Sequence, residues 1–231
     1  MNRRVFAAVI LFSTLAGAAG TVQAQTVTDE RVWFSLPVQG HIGSEESLWR
    51  WSMETVMRSR NGIDELDTLT LRPSVTYNVT SRASVSGGYA LVTGFPVTGG
   101  TLTEHRVHGQ FVWTQPGSAG TLTLRTRIEN RWIETNSGPI GRLRQLIRFS
   151  RPLRPGGKLS IVGSDDLIVH LNDTSRIASG VEQNRAFAGI STAMTPVVRV
   201  EVGYLNQYLP GHRGVADRMN HVLSSSMAIS F

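Results

Sequence analysis

Between Leu122 and Trp132 the chain alternates with a period of two: Leu122, Leu124, Ile128 and Trp132 oppose Thr123, Arg125, Arg127, Glu129 and Arg131. Successive side chains of a strand point to opposite faces, so this stretch is a ribbon with one greasy face and one ionic face. The pattern recurs. Trp49, Trp51, Met53, Thr55 and Met57 oppose Arg50, Ser52, Glu54 and Arg58, and Leu69, Leu71, Val75, Tyr77 and Val79 oppose Thr68, Thr70, Arg72, Ser74, Thr76 and Asn78. Val107, Phe111 and Trp113 face away from Glu104, Arg106, His108 and Gln110, and Leu143, Ile147, Phe149 and Leu153 from Arg142, Arg144 and Arg148. A soluble sandwich also alternates, but its polar face meets water and its inner face is wholly apolar. Here one face is a ladder of guanidiniums and carboxylates and the other carries Trp, Phe, Tyr, Met and Leu. The runs are about 10 to 14 residues, longer than ordinary soluble strands and right for a tilted membrane crossing. The sequence predicts an all-β, antiparallel up-and-down transmembrane β-barrel with lipid against its outside.

The last strand fits that reading. Leu223, Met227, Ile229 and Phe231 fall on one side, and Val222, Ser224, Ser226, Ala228 and Ser230 on the other. A free edge of this kind invites aggregation in water, whereas a closing strand ending in Phe231 suits delivery by the barrel-assembly machinery. Trp49, Tyr77, Trp113, Trp132, Tyr204 and Tyr208 lie near strand ends, as interfacial girdles do. The expected surroundings are outer-membrane lipids, lipopolysaccharide included, and the expected state is a monomer.

Met1 to Ala24 reads as a cleaved signal peptide: Arg3 and Arg4, an apolar run from Val5 to Leu15, then Val22-Gln23-Ala24. The run is too short to span a bilayer. Residues 25–47 form an N-terminal segment with one uncertain strand, and residues 48–231 the barrel. Export to the outer membrane of a Gram-negative bacterium follows, and the absence of cysteine means that no disulfide framework is used there. The net charge of +6 falls to +4 without Arg3 and Arg4, and Lys158 is the only lysine. A basic balance also suits nucleic acid, but these charges are strung along strands and no nucleic-acid motif is present.

Connection lengths set the topology. Counting back from Phe231, Pro210 to Asp217 is long, Thr195-Pro196 short, Asn172 to Gly180 long and Arg154 to Gly157 short. Asn136 to Gly141 and Pro96 to Thr103 are the longer partners of Gln115 to Gly120 and Thr80 to Arg82. Short turns belong on the periplasmic side. This gives ten strands from Leu48 onward. Val32 to Ile42 breaks parity: either it does not span fully, or the region from Val27 folds back to make twelve. Ten is preferred, with this segment closing or lining the barrel.

The runs Gln183-Asn184-Arg185-Ala186-Phe187-Ala188-Gly189, Glu201 to Tyr208 (Glu-Val-Gly-Tyr-Leu-Asn-Gln-Tyr) and Asn220-His221, with the strand ending in Phe231, resemble the DUF2490 family. Arg125 to Arg131, followed by Arg142-Leu143-Arg144 and Pro152, is similar to its central motif. One departure is Asp165-Asp166, where the family usually has Asn-Glu. The resemblance implies an exported outer-membrane barrel of unknown function, and no activity.

On the inward parity lie eleven arginines, Arg50, Arg58, Arg72, Arg106, Arg125, Arg127, Arg131, Arg142, Arg144, Arg148 and Arg199. Six acids face them: Glu54, Glu104, Glu129, Asp166, Glu182 and Glu201. Either these charges pair across a narrow interior and plug it, or the unpaired positive charges line a narrow anion-preferring pore. Glu129, between Arg127 and Arg131, is the expected centre of the network. Arg185 is placed by strict alternation towards lipid, where it would meet lipopolysaccharide phosphate. A bulge would instead turn it inward to join Asn184, Glu201 and Gln207, and the inward placement is preferred. An outer-membrane lipid hydrolase is the alternative class, but His221 and Ser225 stand four residues apart on one face, too far to touch, and His221 reads as an outer-rim histidine. His105 and His108 fall on opposite faces, His41, His170 and His212 are isolated, and no metal-ligand spacing occurs. No catalytic residue, metal or cofactor is expected.

Overall fold

The computed structural model describes residues 26–174, 177–211 and 215–231. The predicted leader Met1–Ala24 and His212 lie outside them. The described residues form eleven strands and no helix: β1 (Val27–His41), β2 (Trp49–Arg60), β3 (Glu65–Asn78), β4 (Ala83–Gly94), β5 (Leu102–Gly117), β6 (Gly120–Ile133), β7 (Ile140–Pro152), β8 (Leu159–His170), β9 (Gly180–Ala193), β10 (Val198–Leu209) and β11 (Arg218–Ser230). Each pairs with its neighbours in chain order, and β1 pairs with β11 to close the barrel. The ten strands expected from Leu48 onward are β2 to β11.

The segment left open by the sequence, Val32 to Ile42, is the core of β1, and the count is eleven. It begins earlier, at Val27, and it closes the sheet. An odd count makes the first and last strands run the same way, so the β1–β11 ladder is parallel, from Val27 opposite Arg218 to Gln39 opposite Ser230, while every other ladder is antiparallel. The closure captures both ends: Val27 N donates to the Asp217 carbonyl at 3.1 Å, and Phe231 N to the Gln39 carbonyl at 3.0 Å. No backbone edge is left for water or a second sheet.

From β3 to β11 the connections sort by length as expected. The β3–β4, β5–β6, β7–β8 and β9–β10 turns share the end where β11 finishes, called here the turn end. The β2–β3, β4–β5, β6–β7, β8–β9 and β10–β11 connections share the other, the loop end, where β1 begins. The β1–β2 connection at the turn end is long, whereas the β2–β3 connection at the loop end is short. At the loop end, Asn61 (φ 50°) and Gly62 (φ 71°) take the left-handed conformations that a tight hairpin needs.

Polarity is inverted relative to a soluble domain. Trp49, Trp51, Phe111, Ile128, Trp132, Tyr204 and Leu223 are exposed, whereas Arg142, Glu129, Arg127 and Asp166 are buried. The outward rings of Trp49 and Tyr77 pack at 4.9 Å, as neighbours on β2 and β3.

β9 departs from simple alternation. Its ladder with β8 slips between Ile168↔Gln183 and Val169↔Val181, leaving Glu182 as an extra residue. This bulge lets Glu182 and Gln183 both face the interior and reverses the phase after them. Arg185 pairs with the inward Asp166, and Asn184 with the outward Leu167.

Candidate functional site: an arginine-lined interior

The loop-end half of the interior is filled. Ile140, Ile168 and Val222 have no exposed surface, and Glu129 is 2 % exposed. Around this apolar packing runs a continuous chain of charges. Glu104 accepts two hydrogen bonds from Arg106, each 2.8 Å, and is also paired with Arg131. Arg131 reaches Glu182 at 3.5 Å. Arg142 donates to the same Glu182 at 3.2 Å and to Glu129 from Nε at 2.8 Å. Glu129 then lies 3.5 Å from Arg127 and 3.7 Å from Arg144. Arg144 continues to Asp166, which Arg125 approaches at 3.5 Å. Arg131–Glu182 and Arg142–Glu182 join strands that are not adjacent in the sheet. Burial of this many ions is tolerable because each carboxylate takes more than one guanidinium hydrogen bond or contact.

Glu129 therefore stands near the middle of the chain, but with Arg142, Arg127 and Arg144 around it. Arg131, expected beside it, goes to Glu104 and Glu182. His170, read as isolated, joins the same cluster, its Nε2 at 3.1 Å from Glu182 and 3.3 Å from Arg131.

The β9 bulge decides two more placements. Arg185 is inward, its Nε donating to Gln183 Oε1 at 2.8 Å. Gln207 Nε2 donates to the same Gln183 oxygen at 2.5 Å, and Asn220 Nδ2 donates to Gln207 Oε1 at 2.8 Å. Asn184, expected in this group, is outside it: its amide donates to Asp165 at 3.0 Å on the outward face. Gln183 takes the role assigned to Asn184, because the extra residue shifts the phase by one. Glu201 does not contact Arg185. It binds Arg148 through two hydrogen bonds, 3.0 and 2.5 Å.

The turn-end half is hollow. A cavity of about 220 Å³ lies among Trp33, Arg58, Arg125, Arg148, Arg185, Phe187 and Glu201. A second, about 240 Å³, shares Glu54, Arg72 and Arg127 with it, and Arg72 is paired with Glu54 there. A third, about 320 Å³, shares Gln39, Ser52, Thr76 and Gln110 with the second and reaches Arg50, Asn78 and Ser84. Arg127 donates to Gln110 Oε1 at 2.8 and 2.6 Å on the wall between them. Phe187 seals one side: its ring lies where the side chains of residues 189 and 203 would be, and only glycine fits at those facing positions. These cavities lie on the turn-end side of the filled layer. Arg199, in the second position of β10, is at the turn end and is exposed.

Outside, His221 Nδ1 lies 2.6 Å from the Tyr204 hydroxyl, beside Asn206. Tyr89 and His105 form a matching outward pair on β4 and β5. Ser225 donates to the Trp33 carbonyl at 3.3 Å, away from His221. Among the described residues, no group of three His, Asp or Glu side chains could hold a metal ion.

The sequence is similar to an uncharacterised protein of Methylorubrum extorquens, 30 % identical over 233 residues that cover 100 % of this chain and 98 % of that one. No solved structure matches the chain. Residues 30–220, which hold the nine strands β2 to β10 whole, most of β1 and the first residues of β11, match the family described as protein of unknown function DUF2490. With nine whole strands, the Arg125–Arg131 ladder and the Gln207–Asn220 pair inside that match, the chain belongs to the DUF2490 family.

Proposed function

We propose that this protein is an outer-membrane barrel closed to through-flow, with an arginine-lined chamber that opens towards the periplasm. Of the two roles the charged interior allows, a plugged barrel and a narrow anion-preferring pore, the first is favoured. One observation carries the choice: Ile140, Ile168, Val222 and Glu129 fill the loop-end half with 0–2 % exposure. Ions crossing that layer would have to separate Glu129 from Arg142 and Glu182 from Arg131, leaving buried charges uncompensated.

The membrane assignment is supported by the inverted polarity and the closed ladder. Exposed Trp, Phe, Ile and Leu side chains match hydrocarbon, and a sheet without edges meets the bilayer's demand that every backbone group be satisfied internally. In this reading the wall contacts outer-membrane lipid as a monomer, the Tyr204–His221 pair sits at the lipopolysaccharide side, and β11 is the strand presented to the assembly machinery.

Planar-bilayer recording tests the closed state. No step currents are expected from the wild-type chain. Steady anion-selective openings in the wild type would overturn the closed reading in favour of the pore.

A further inference from the structure

Among the described residues the inward arginines Arg50, Arg58, Arg185 and Arg199 make no salt bridge, and two of them, Arg58 and Arg185, share one cavity. The Arg58 Cζ lies 4.5 Å and the Arg185 Cζ 5.0 Å from the centre of the Trp33 ring. Trp33 is 6 % exposed and faces the same cavity. Arg58 makes no ion pair among the described residues, and its buried Nε has no hydrogen-bond partner. Among the described residues Arg185 hydrogen-bonds only the neutral Gln183 oxygen. The nearby carboxylates are taken: Asp166 by Arg144 and Arg125, Glu201 by Arg148, Glu54 by Arg72. An aromatic face attracts each cation but does not cancel the repulsion between two of them in a low-dielectric pocket.

We infer that the cavity beside Trp33 binds a soluble oxyanion of the phosphate or phosphate-ester class between Arg58 and Arg185. A pair of forked guanidiniums presents several N–H donors to tetrahedral oxygens. Ser35, Ser164, Ser224 and Ser226 line the same cavity and add hydroxyl donors. The cavity volume of about 220 Å³ accommodates the anion with a small ester group. The hydrogen-bonded wall leaves no lateral slot for acyl chains, so the ligand enters along the axis, from solution. This rests on the proposed opening at the turn end, yet the two fail separately. A conducting barrel that binds phosphate through Arg58 refutes only the closed state, and a closed barrel that does not bind refutes only the anion site.

The test is calorimetric titration of the full chain, folded in detergent micelles at low salt, with inorganic phosphate, glycerol 3-phosphate and dihexanoyl phosphatidate as separate arms. Saturable binding of the first two is expected, with Arg58→Gln and Arg185→Gln each weakening it by about tenfold or more, Arg58→Lys weakening it less, and Arg154→Gln, on an exposed turn, leaving it unchanged. A second measurement does not depend on binding heats. In phosphate-free buffer Arg58→Gln is expected to melt above the wild type, because it relieves the cation pair, and in saturating phosphate the order reverses. Absence of saturable phosphate binding, unaltered affinity in Arg58→Gln, or a lower melting point of Arg58→Gln without phosphate would each overturn the site. Tighter binding of the phosphatidate than of phosphate would overturn the soluble source.

Discussion

Arg148 on β7 and Glu201 on β10 are joined by two hydrogen bonds, Nη1 to Oε1 at 3.0 Å and Nη2 to Oε2 at 2.5 Å, although two strands lie between them in the sheet. The contact reaches past β8 and β9 and ties two non-adjacent strands of the wall. Both side chains keep some solvent, 30 % and 19 %, so water screens part of the attraction. A double-mutant cycle with Arg148→Ala and Glu201→Ala should give a coupling of about 1.5 kcal/mol, the low end for hydrogen bonds between charged groups. Chemical unfolding in micelles reads it, and a coupling near zero would mean the walls are held by the ladders alone.

Glu129 is a different case, an anion nearly sealed from water among Arg142, Arg127 and Arg144. Glu129→Ala strands those cations and should destabilise the barrel by roughly 3–5 kcal/mol. The temperature at which heat converts the compact species to the unfolded one on a semi-native gel is the readout. Bilayer recordings of the same variant should remain silent, because Ile140, Ile168 and Val222 still fill the layer.

At the β9–β10 ladder, a side chain added at Gly203 would stand 2.4 Å from the Ala188 carbonyl oxygen and 2.7 Å from Phe187 Cζ. Gly203→Ala is therefore expected to cost about 1–3 kcal/mol by overpacking, and Gly203→Val more. Partial recovery of the Gly203→Ala loss in a Phe187→Leu background would show that the ring, not only the backbone, is the obstacle. A Gly203→Ala protein as stable as the wild type contradicts the packing described.

The chain holds no cysteine, which makes single-cysteine mapping clean. Ser226→Cys, lining the first cavity, should react with a charged water-soluble thiol reagent if the proposed opening at the turn end is present. Ile190→Cys, on the exposed outward face, should resist that reagent in membranes and take up a lipid-soluble one. Equal labelling of Ile190→Cys by the charged reagent in intact membranes would remove the lipid from around the barrel.

Where apolar and charged residues alternate over most of a strand, the sequence is enough to place each side chain. β7 is such a strand despite the break at Gln145 and Leu146, and Arg142, Arg144 and Arg148 all face inward as their spacing predicts. β9 is not. Glu182-Gln183-Asn184-Arg185 is four polar residues in a row, with no apolar neighbour to set the phase, so the bulge and the exchange of Asn184 for Gln183 depend on the pairing with Ile168 and Val169. The run itself is the available signal, since a regularly alternating strand would not carry it. β1 was indistinct for another reason. Its partner on one side is β11, far along the chain, and no local turn declares that pairing. The contact of Trp33 with Arg58 and Arg185 draws on β1, β2 and β9 together and leaves no trace in any single stretch.

The parallel seam orders the events of assembly. Trp33 must find Ser224, so the ladder that seals the cylinder also encloses the longest loop of chain and is entropically the hardest to form. Parallel bonding is slightly weaker per residue than the antiparallel kind. Until β1 and β11 zip together, the nascent sheet keeps two unpaired margins and a half-formed ionic interior.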